Sequence, residues 1–224
     1  MNIENKKNFD LEYKIITLGD SGVGKTSIIN RFINDSFNDE EALTLGIKFS
    51  FQIVKAQNDK LLKLNIIDTS GQEKYRSLPT SYFRNVDVVL FIFDLSQMLS
   101  FENIKKWINT FNQNNNGKYV KKLYLVGNKN DLGQVVDQKM IDDFSQNNNL
   151  PYRGISAKTS YQVKELFELI ANDLIEEVDK KSIISIKSRG SRILARPQIN
   201  NKRQKNVVVK NFKCFLNKII RFCI

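Results

Sequence analysis

The sequence predicts an α/β fold: a three-layer sandwich with helices on both faces of a mostly parallel, six-stranded sheet that has one antiparallel edge. Apolar runs of the β type alternate along the chain with stretches of helical periodicity, the order typical of this class. The runs 88–93 and 123–126 are apolar almost throughout, as in strands buried on both faces. Residues 49–56 alternate instead, which favours an edge strand paired antiparallel with 61–67 across a turn at 58–59.

The other strands and helices are predicted from the alternating periodicity of strands and the helical periodicity of apolar residues. The helix after the first strand, for example, carries Ile28, Ile29, Phe32 and Ile33 on one face. The predicted strands are 13–18, 47–56, 61–67, 87–93, 121–126 and 150–155. The predicted helices are 25–34, 73–84, 100–112, 137–147 and 163–178.

Charge divides the chain into a globular domain and a tail. The 224 residues include 35 Lys and Arg against 24 Asp and Glu, a formal net charge of +11. Thirteen of the basic residues lie after Asp179, where there is no acidic residue, so the sequence before it is almost neutral. We therefore predict a flexible N-terminus over 1–10, a globular domain over 11–179 and a basic tail over 180–224.

The cysteines and the apolar content indicate the compartment. Both cysteines, Cys214 and Cys223, lie in the tail, and a core without thiols fits a reducing environment. No apolar run reaches eighteen residues, the N-terminus lacks a signal-peptide pattern, and Asn2 in place of glycine excludes N-myristoylation. We expect a cytoplasmic protein whose membrane contact is made through its C-terminus.

The segment 19–26, GDSGVGKT, fits the phosphate-loop pattern G-x-x-x-x-G-K-[ST]. An apolar β-type run precedes this segment and a predicted helix follows it. This strand–loop–helix context argues against the alternative that the segment is a glycine-rich turn that carries a lysine by chance. Lys25 is expected to reach the β- and γ-phosphates, and the Thr26 hydroxyl to ligate Mg²⁺. The loop's backbone N–H groups form an anion cradle at the helix N-terminus. The residues predicted to bind phosphate are Ser21, Gly22, Val23, Gly24, Lys25, Thr26 and Ser27.

A second motif, DTSGQE, begins at Asp68, directly after a predicted strand. A carboxylate in this place, beside a phosphate loop, can hold the hydration shell of Mg²⁺. Gly71 permits its backbone N–H to approach a γ-phosphate, and Gln72 is predicted to orient the attacking water.

Two further motifs end the last two strands and point to guanine. Asp131 of NKND can accept from the guanine N1–H and exocyclic amine, while Asn128 contacts the N7 side and the Lys129 stem lies along the ring. In the motif Ser156-Ala157-Lys158, the Ala157 N–H can donate to the guanine O6. Adenine has an amine in that place, which would leave the Ala157 N–H without an acceptor.

The ordered set GDSGVGKT, DTSGQE, NKND and SAK resembles the Ras superfamily of small GTPases, the Rab branch in particular, over about residues 10–178. The resemblance implies that Thr44 closes on Mg²⁺ and the γ-phosphate and that Phe37 stacks edge-on against the base. The sequence departs from the Rab pattern at Lys48 and Ile67, which the resemblance assigns to the surface that partners contact. Ser70 is a third, smaller departure.

The resemblance also implies a function: slow, Mg²⁺-dependent hydrolysis of GTP to GDP and phosphate by a molecular switch in vesicle trafficking. Lys25 and Gln72 are the catalytic candidates, and Thr26, Thr44 and Asp68 the metal ligands. Residues 36–50 and 68–84 are expected to bind an exchange factor, a GTPase-activating protein and effectors. We expect a monomer that binds no nucleic acid and cycles from the cytoplasm to the cytosolic face of an endomembrane.

The end of the tail, 205–224, has an apolar stripe opposite basic residues and predicts an amphipathic helix that binds anionic lipid. A solvated linker is the alternative. Arg221 stands at the fourth position from the end, so a C-a-a-X box is absent, and Cys214 and Cys223 are the candidate lipidation sites.

Three other functions stay open at this point. A GTP-binding scaffold without turnover is opposed by the presence of Gln72 and Thr44. A phosphate-loop kinase or ATPase is opposed by NKND and SAK. A small GTPase of another branch, with Ras-like signalling, is the nearest rival because the Rab-specific positions are the imperfect ones.

Overall fold

A computed structural model describes residues 8–39, 46–69, 80–115 and 119–191, the stretch 179–191 as helical backbone only. Six strands form one sheet: β1 Leu11–Leu18, β2 Ile47–Lys55, β3 Leu61–Thr69, β4 Val88–Asp94, β5 Lys122–Asn128 and β6 Tyr152–Gly154. Their spatial order is β2-β3-β1-β4-β5-β6, with every neighbouring pair parallel except β2 and β3. The predicted six-stranded sheet with one antiparallel edge is confirmed.

Five α-helices lie in the described ranges: α1 Lys25–Asn34, α2 Met98–Glu102, α3 Ile104–Asn114, α4 Gln138–Asn148 and α5 Val163–Ser191. Short 3₁₀ turns occupy Thr80–Phe83 and Asn130–Leu132. No helix within these ranges is long and apolar enough to cross a membrane.

Helices pack on both faces of the sheet because the strands present apolar side chains to both. One core cluster joins α1 and α5 to the sheet, and Phe32 stacks on Phe167 with ring centroids 3.7 Å apart. The other cluster takes its helical residues from α2, α3 and α4, such as Ile108 and Ile141. The predicted three-layer arrangement is therefore confirmed.

Three predicted elements differ from the structure. The predicted helix 100–112 is two helices that meet at Asn103, whose side chain turns away to bond Asp20. The predicted strand 150–155 shortens to β6, because its ladder with β5 spans only Leu125↔Tyr152 to Gly127↔Gly154. Most of the predicted helix 73–84 lies outside the described residues, and its end is the 3₁₀ turn.

The last helix continues beyond the predicted domain boundary. α5 runs to Ser191, whereas the apolar periodicity that predicted it ends near 178. The sheet, helices α1 to α4, α5 as far as Val178 and the cleft described below belong to the first of two units, Met1–Val178, and the second begins at Asp179. The assignment of the chain after this point to a separate tail stays a prediction.

Candidate functional site

A cleft of about 290 Å³ opens where β1, β3, β5 and β6 end. Four strands parallel to one another place their carboxyl ends along a single edge of the sheet, where α/β proteins bind ligands. Twelve of the predicted site residues line this cleft: Ser21, Gly22, Gly24, Lys25, Thr26, Ser27, Phe37, Asn128, Lys129, Asp131, Ala157 and Lys158. Asn38, Asp39, Thr69 and Leu132 line it as well, and sequence reasoning did not select them.

The other predicted residues fall into two groups. Val23, Asp68 and Ser156 are buried and are not among the residues that line the cleft, although each is bonded to one that does. Thr44, Gly71, Gln72, Cys214 and Cys223 lie outside the described residues, so their predicted roles remain predictions.

The phosphate loop connects β1 to α1 and ends at a position that only glycine fits. Gly24 has φ +90°, the left-handed region that side chains rarely adopt. A Cβ atom built there would also lie 2.4 Å from Asn128 Nδ2. The close approach of the loop to the end of β5 therefore depends on the missing side chain.

Lys25 opens α1 with its ammonium group enclosed, and the residue is only 5% exposed. Its Nζ donates to the carbonyls of Gly19 at 2.8 Å and Asp20 at 2.7 Å. Burial lowers the pKa of Lys25 to about 8, although the charges of Asp68 and Asp20 oppose that shift. The Lys25 ammonium is therefore a buried cation, and an anion bound in the cleft would stabilise its charged form.

Thr26 and Asp68 bring a hydroxyl and a carboxylate together close to Lys25. The Thr26 hydroxyl donates to Asp68 Oδ2 at 2.6 Å, and Asp68 is 1% exposed at the end of β3. A hydroxyl and a carboxylate are ligands suited to Mg²⁺, a hard cation that is usually held by few protein oxygens together with phosphate. The donor set therefore fits the predicted metal.

Asn128 joins the phosphate loop to the loop after β6. Its Nδ2 donates to the Val23 carbonyl at 2.9 Å, and its Oδ1 accepts from the Ala157 N–H at 3.1 Å. We predicted that Asn128 and Ala157 contact the base, but these groups bond to each other in the structure. An N–H can be shared between two acceptors, so donation from Ala157 to a base oxygen is compatible with this geometry.

Asp131 is oriented by Ser156 rather than by the backbone. The Ser156 hydroxyl donates to Asp131 Oδ1 at 2.5 Å and accepts from the Thr159 N–H at 3.1 Å. Since Ser156 is buried, it positions the carboxylate that lines the cleft. Asp131 thus lines the cleft with its carboxylate oriented by Ser156, as an acceptor for guanine requires.

Lys129 pairs with Asp94, a residue that sequence reasoning missed. The Lys129 Nζ lies 2.8 Å from Asp94 Oδ2, and the Asp94 side chain is 1% exposed at the end of β4. Lys129 itself has φ +64°, and the ion pair helps to hold this unfavourable backbone conformation. The position of Asp94, a carboxylate that closes a buried apolar run, was the signal available in the sequence.

Phe37, Asp39 and Lys158 form the outer rim of the base end. Lys158 Nζ lies 3.0 Å from Asp39 Oδ1 and 6.0 Å from the centroid of the Phe37 ring. The hydrogen bond to Asp39 raises the pKa of Lys158. The predicted aromatic residue thus lies at the cleft, next to the last residue of the SAK motif.

Arg31 supports the SAK loop from below, and sequence reasoning missed it as well. From α1, its Nε donates to the Ala157 carbonyl at 2.9 Å and its Nη2 to the Lys158 carbonyl at 3.2 Å. Its Nη1 donates to the backbone and carboxylate oxygens of Asp35. The helix that starts at the phosphate end of the cleft therefore also positions the base end.

A phosphate loop with a buried lysine, an oxygen pair suited to a divalent cation and a positioned acceptor for a base together define a guanine-nucleotide-binding protein of the phosphate-loop class. The family model of the Ras family matches residues 14–176. The chain belongs to the Ras family, in its Rab branch, and is a GTPase that binds GTP and GDP.

Curated relatives support this branch. The chain is 34% identical over 183 residues to Ras-related protein SEC4 of Saccharomyces cerevisiae, covering 81% of this chain and 84% of the relative. It is 35% identical over 188 residues to Ras-related protein Rab-1D of Dictyostelium discoideum, covering 80% and 91%. It is 34% identical over 178 residues to Ras-related protein Rab-10 of Diplobatis ommata, covering 79% and 88%.

Proposed function

We propose that this Rab-type GTPase is a slow, Mg²⁺-dependent switch in vesicle trafficking, with the nucleotide in the cleft described above. The observation that supports it most directly is the Thr26–Asp68 pair beside the buried ammonium of Lys25. These groups place positive charge and metal-binding oxygens at one end of the cleft. Asp131, oriented by Ser156, provides the acceptor for guanine at the other end.

Lys25 stabilises charge on the β- and γ-phosphate oxygens, and the loop N–H groups add to this effect. Its Nζ donates to the carbonyls of Gly19 and Asp20, which hold the ammonium group within the phosphate loop. Thr26 and Asp68 would hold Mg²⁺, with Thr44 completing the set in the GTP state. When bound, Mg²⁺ would supply neutralisation of the charge that develops on the phosphates.

Gln72 orients the attacking water, whose oxygen bonds to the γ-phosphorus as the bond from that phosphorus to the β–γ bridging oxygen breaks. GDP is the leaving group, the water's proton passes to phosphate oxygen, and no covalent enzyme intermediate forms. Among the described residues that line the cleft there is no arginine. Turnover without an activator should therefore be slow, on the order of 10⁻⁴ to 10⁻³ s⁻¹, as for the related Ras protein. An arginine supplied by a partner would accelerate the reaction.

The γ-phosphate holds the two switch segments, 36–50 and 68–84, through Thr44 and Gly71, and hydrolysis releases them. Regulators and effectors bind this surface. Phe49 is 64% exposed, with its ring centroid 5.8 Å from that of Tyr82, and supports an apolar contact surface there. Lys48 is exposed beside it.

Ile67 does not belong to this exposed surface. We expected partners to contact it, but it is 1% exposed and packs in the core cluster on the α3 side of the sheet. A branched aliphatic side chain at this inward position of β3 is covered by its neighbours.

The basic tail brings the protein to the cytosolic face of an anionic endomembrane, with Cys214 or Cys223 as the lipidated residue. The charge of 180–224, thirteen basic residues and no acidic one, supports this part of the proposal. Between cycles the protein is cytoplasmic and monomeric. Liposomes with and without anionic lipid, tested with the full chain, would measure the electrostatic share of this binding.

The test of the switch is phosphate release from protein preloaded with GTP, for wild type and Gln72→Leu. Slow release that the substitution abolishes supports a hydrolysing switch. If both proteins bind GTP and neither releases phosphate, the chain is a GTP-binding scaffold or depends wholly on an activator for turnover. Calorimetric titration with ATP and GTP tests guanine specificity separately, because equal affinities would contradict the roles of Asp131 and the SAK loop.

A further inference from the structure

Asp20 lies inside the phosphate loop, yet its side chain contacts α3 and the residue that precedes that helix. Trp107 Nε1 donates to Asp20 Oδ1 at 2.7 Å, and Asn103 Nδ2 donates to Asp20 Oδ2 at 2.7 Å. Both carboxylate oxygens therefore accept from residues more than eighty positions further along the chain. We propose that Asp20 is a positioning residue, which sets the phosphate loop for binding the β-phosphate by tying it to α3.

The same residue also contacts the phosphate-binding lysine. The Asp20 carbonyl accepts from Lys25 Nζ at 2.7 Å, while its carboxylate faces α3. A shift of Asp20 would therefore move one of the two carbonyls that hold the Lys25 ammonium. One of the two hydrogen bonds that hold this ammonium is therefore linked to α3 through Asp20.

The α3 side of the contact is well fixed. α3 packs into the core through Ile104, Ile108 and Phe111. Lys106 Nζ donates to Asn103 Oδ1 at 2.7 Å, which directs the amide Nδ2 toward Asp20. The loop is thus held by a rigid partner in one hydrogen-bonding arrangement.

A carboxylate in a loop that binds phosphate needs a physical reason, because like charges repel. Within the described part of the chain, Asp20 is absent from the residues that line the cleft. The two donors from the α3 side direct its charge away from the phosphate position and satisfy both oxygens. Positioning of the loop is the benefit that offsets the nearby negative charge.

This inference rests on the proposed function in one respect: the loop must bind the β-phosphate. Loss of the hydrogen bonds to the α3 side should therefore weaken the binding of GDP, which has a β-phosphate, more than the binding of GMP, which lacks it. A merely structural role of Asp20 would lower the affinity for both nucleotides alike. The ratio of the two affinities separates these cases.

The test compares Asp20→Ala with a swapped pair, Asp20→Asn combined with Asn103→Asp. In the swapped pair, the amide N–H introduced at position 20 can donate to the carboxylate introduced at position 103. The amide oxygen at position 20 still accepts from Trp107. Both hydrogen bonds are thus restored, and only the one between positions 20 and 103 reverses its direction. Asp137→Ala is the control, because Asp137 accepts from the Lys139 N–H as the N-cap of α4, far from the loop in sequence. Affinities for GDP and GMP are measured by displacement of a fluorescent GDP analogue from the full chain.

We expect Asp20→Ala to lower the GDP-to-GMP affinity ratio at least about fivefold, the effect of losing one or more charged hydrogen bonds from the loop's support. The swapped pair should stay within about twofold of wild type, and Asp137→Ala should leave the ratio unchanged while lowering thermal stability. An unchanged or higher ratio in Asp20→Ala overturns the inference. If Asp20→Ala does not fold, Trp107→Phe, which removes one donor, is measured in its place with the same criterion.

Trp107 gives an independent readout because it is the only tryptophan of the chain. In wild type, GDP binding should change its emission, and in Asp20→Ala the emission should shift to longer wavelength and no longer respond to GDP. A response that persists in Asp20→Ala contradicts the coupling. If wild type itself binds GMP as tightly as GDP, the proposed phosphate site fails, which is a different outcome from failure of the role of Asp20.

Discussion

The Asn128 side chain donates a 2.9 Å hydrogen bond to the Val23 carbonyl, so the residue that opens the NKND motif is bonded directly to the phosphate loop. The same side chain accepts from the Ala157 N–H. The three loops that surround the nucleotide cleft therefore share one buried amide. A base-recognition motif and a phosphate motif, 105 residues apart in the chain, form one structural unit.

Asn128→Ala should accordingly damage both ends of the cleft. The substitution leaves the Val23 carbonyl and the Ala157 N–H without this partner, and each buried group costs about 1–3 kcal/mol when unpaired. We expect GDP affinity to fall by about one to two powers of ten. Displacement of a fluorescent GDP analogue measures it, with Asn65→Ala as the control because the Asn65 amide bonds Glu12 at an exposed site.

Gly24→Ala should abolish tight nucleotide binding. The new Cβ would meet Asn128 Nδ2 at 2.4 Å, and φ +90° adds backbone strain of about 1–3 kcal/mol. Gly133→Ala is a matched control, since Gly133 has φ +86° and open space around its Cβ position. The thermal unfolding temperature should fall in both variants, whereas GDP binding should be lost only in Gly24→Ala. Equal GDP affinities in the two variants would contradict the steric argument.

Arg31→Met should loosen the SAK loop and lower the preference for GTP over ATP. The substitution removes the guanidinium bonds to the carbonyls of Ala157 and Lys158, and we expect the preference to drop about tenfold. Arg31→Lys should be intermediate, because an ammonium cannot reproduce the planar fork. Arg153→Met is the control, since Arg153 is exposed on β6 and its guanidinium donates to the carbonyl of the neighbouring Tyr152. Competition titrations with both nucleotides give the preference, and an unchanged value in Arg31→Met would refute this role.

The motifs predicted the cleft because each is a short contiguous segment that follows a strand. Parallel strands then bring Lys25, Asp68, Asn128 and Ala157 to one edge of the sheet, as the alternation of strands and helices predicts. The antiparallel edge also follows from the sequence, through the alternating pattern of β2.

The supporting residues were not predictable in the same way. Arg31, Asp94 and Trp107 act through contacts to residues 126, 35 and 87 positions away, respectively. Nothing in the local sequence distinguishes Arg31 from a surface arginine or Trp107 from a core aromatic residue. The position of Asp94 at the end of a strand is a signal, but it does not identify Lys129 as the partner. Ile67 shows the opposite error, since family resemblance placed it on the surface while packing against the α3 side of the sheet buries it.

GDP affinity should depend on pH through Lys25. Burial lowers the pKa of Lys25 to about 8 from its usual value near 10.5, so the empty site loses this positive charge as the pH rises through about 8. A bound phosphate needs the charged form; the affinity should therefore be constant below this pH and fall above it, by up to about tenfold per pH unit.

The stability of the folded protein should change with pH in the opposite direction to its GDP affinity. Between about pH 8 and 10.5 the unfolded chain binds the proton that folded Lys25 has lost, so this residue's contribution to the free energy of unfolding rises with pH in that window. Affinity and stability of the empty protein should thus move in opposite directions between about pH 8 and 9. Lys25→Arg should remove the pH dependence of affinity over this range, because a guanidinium stays charged. A wild-type affinity that is constant from about pH 7 to 9 would show that Lys25 keeps its proton in the empty site.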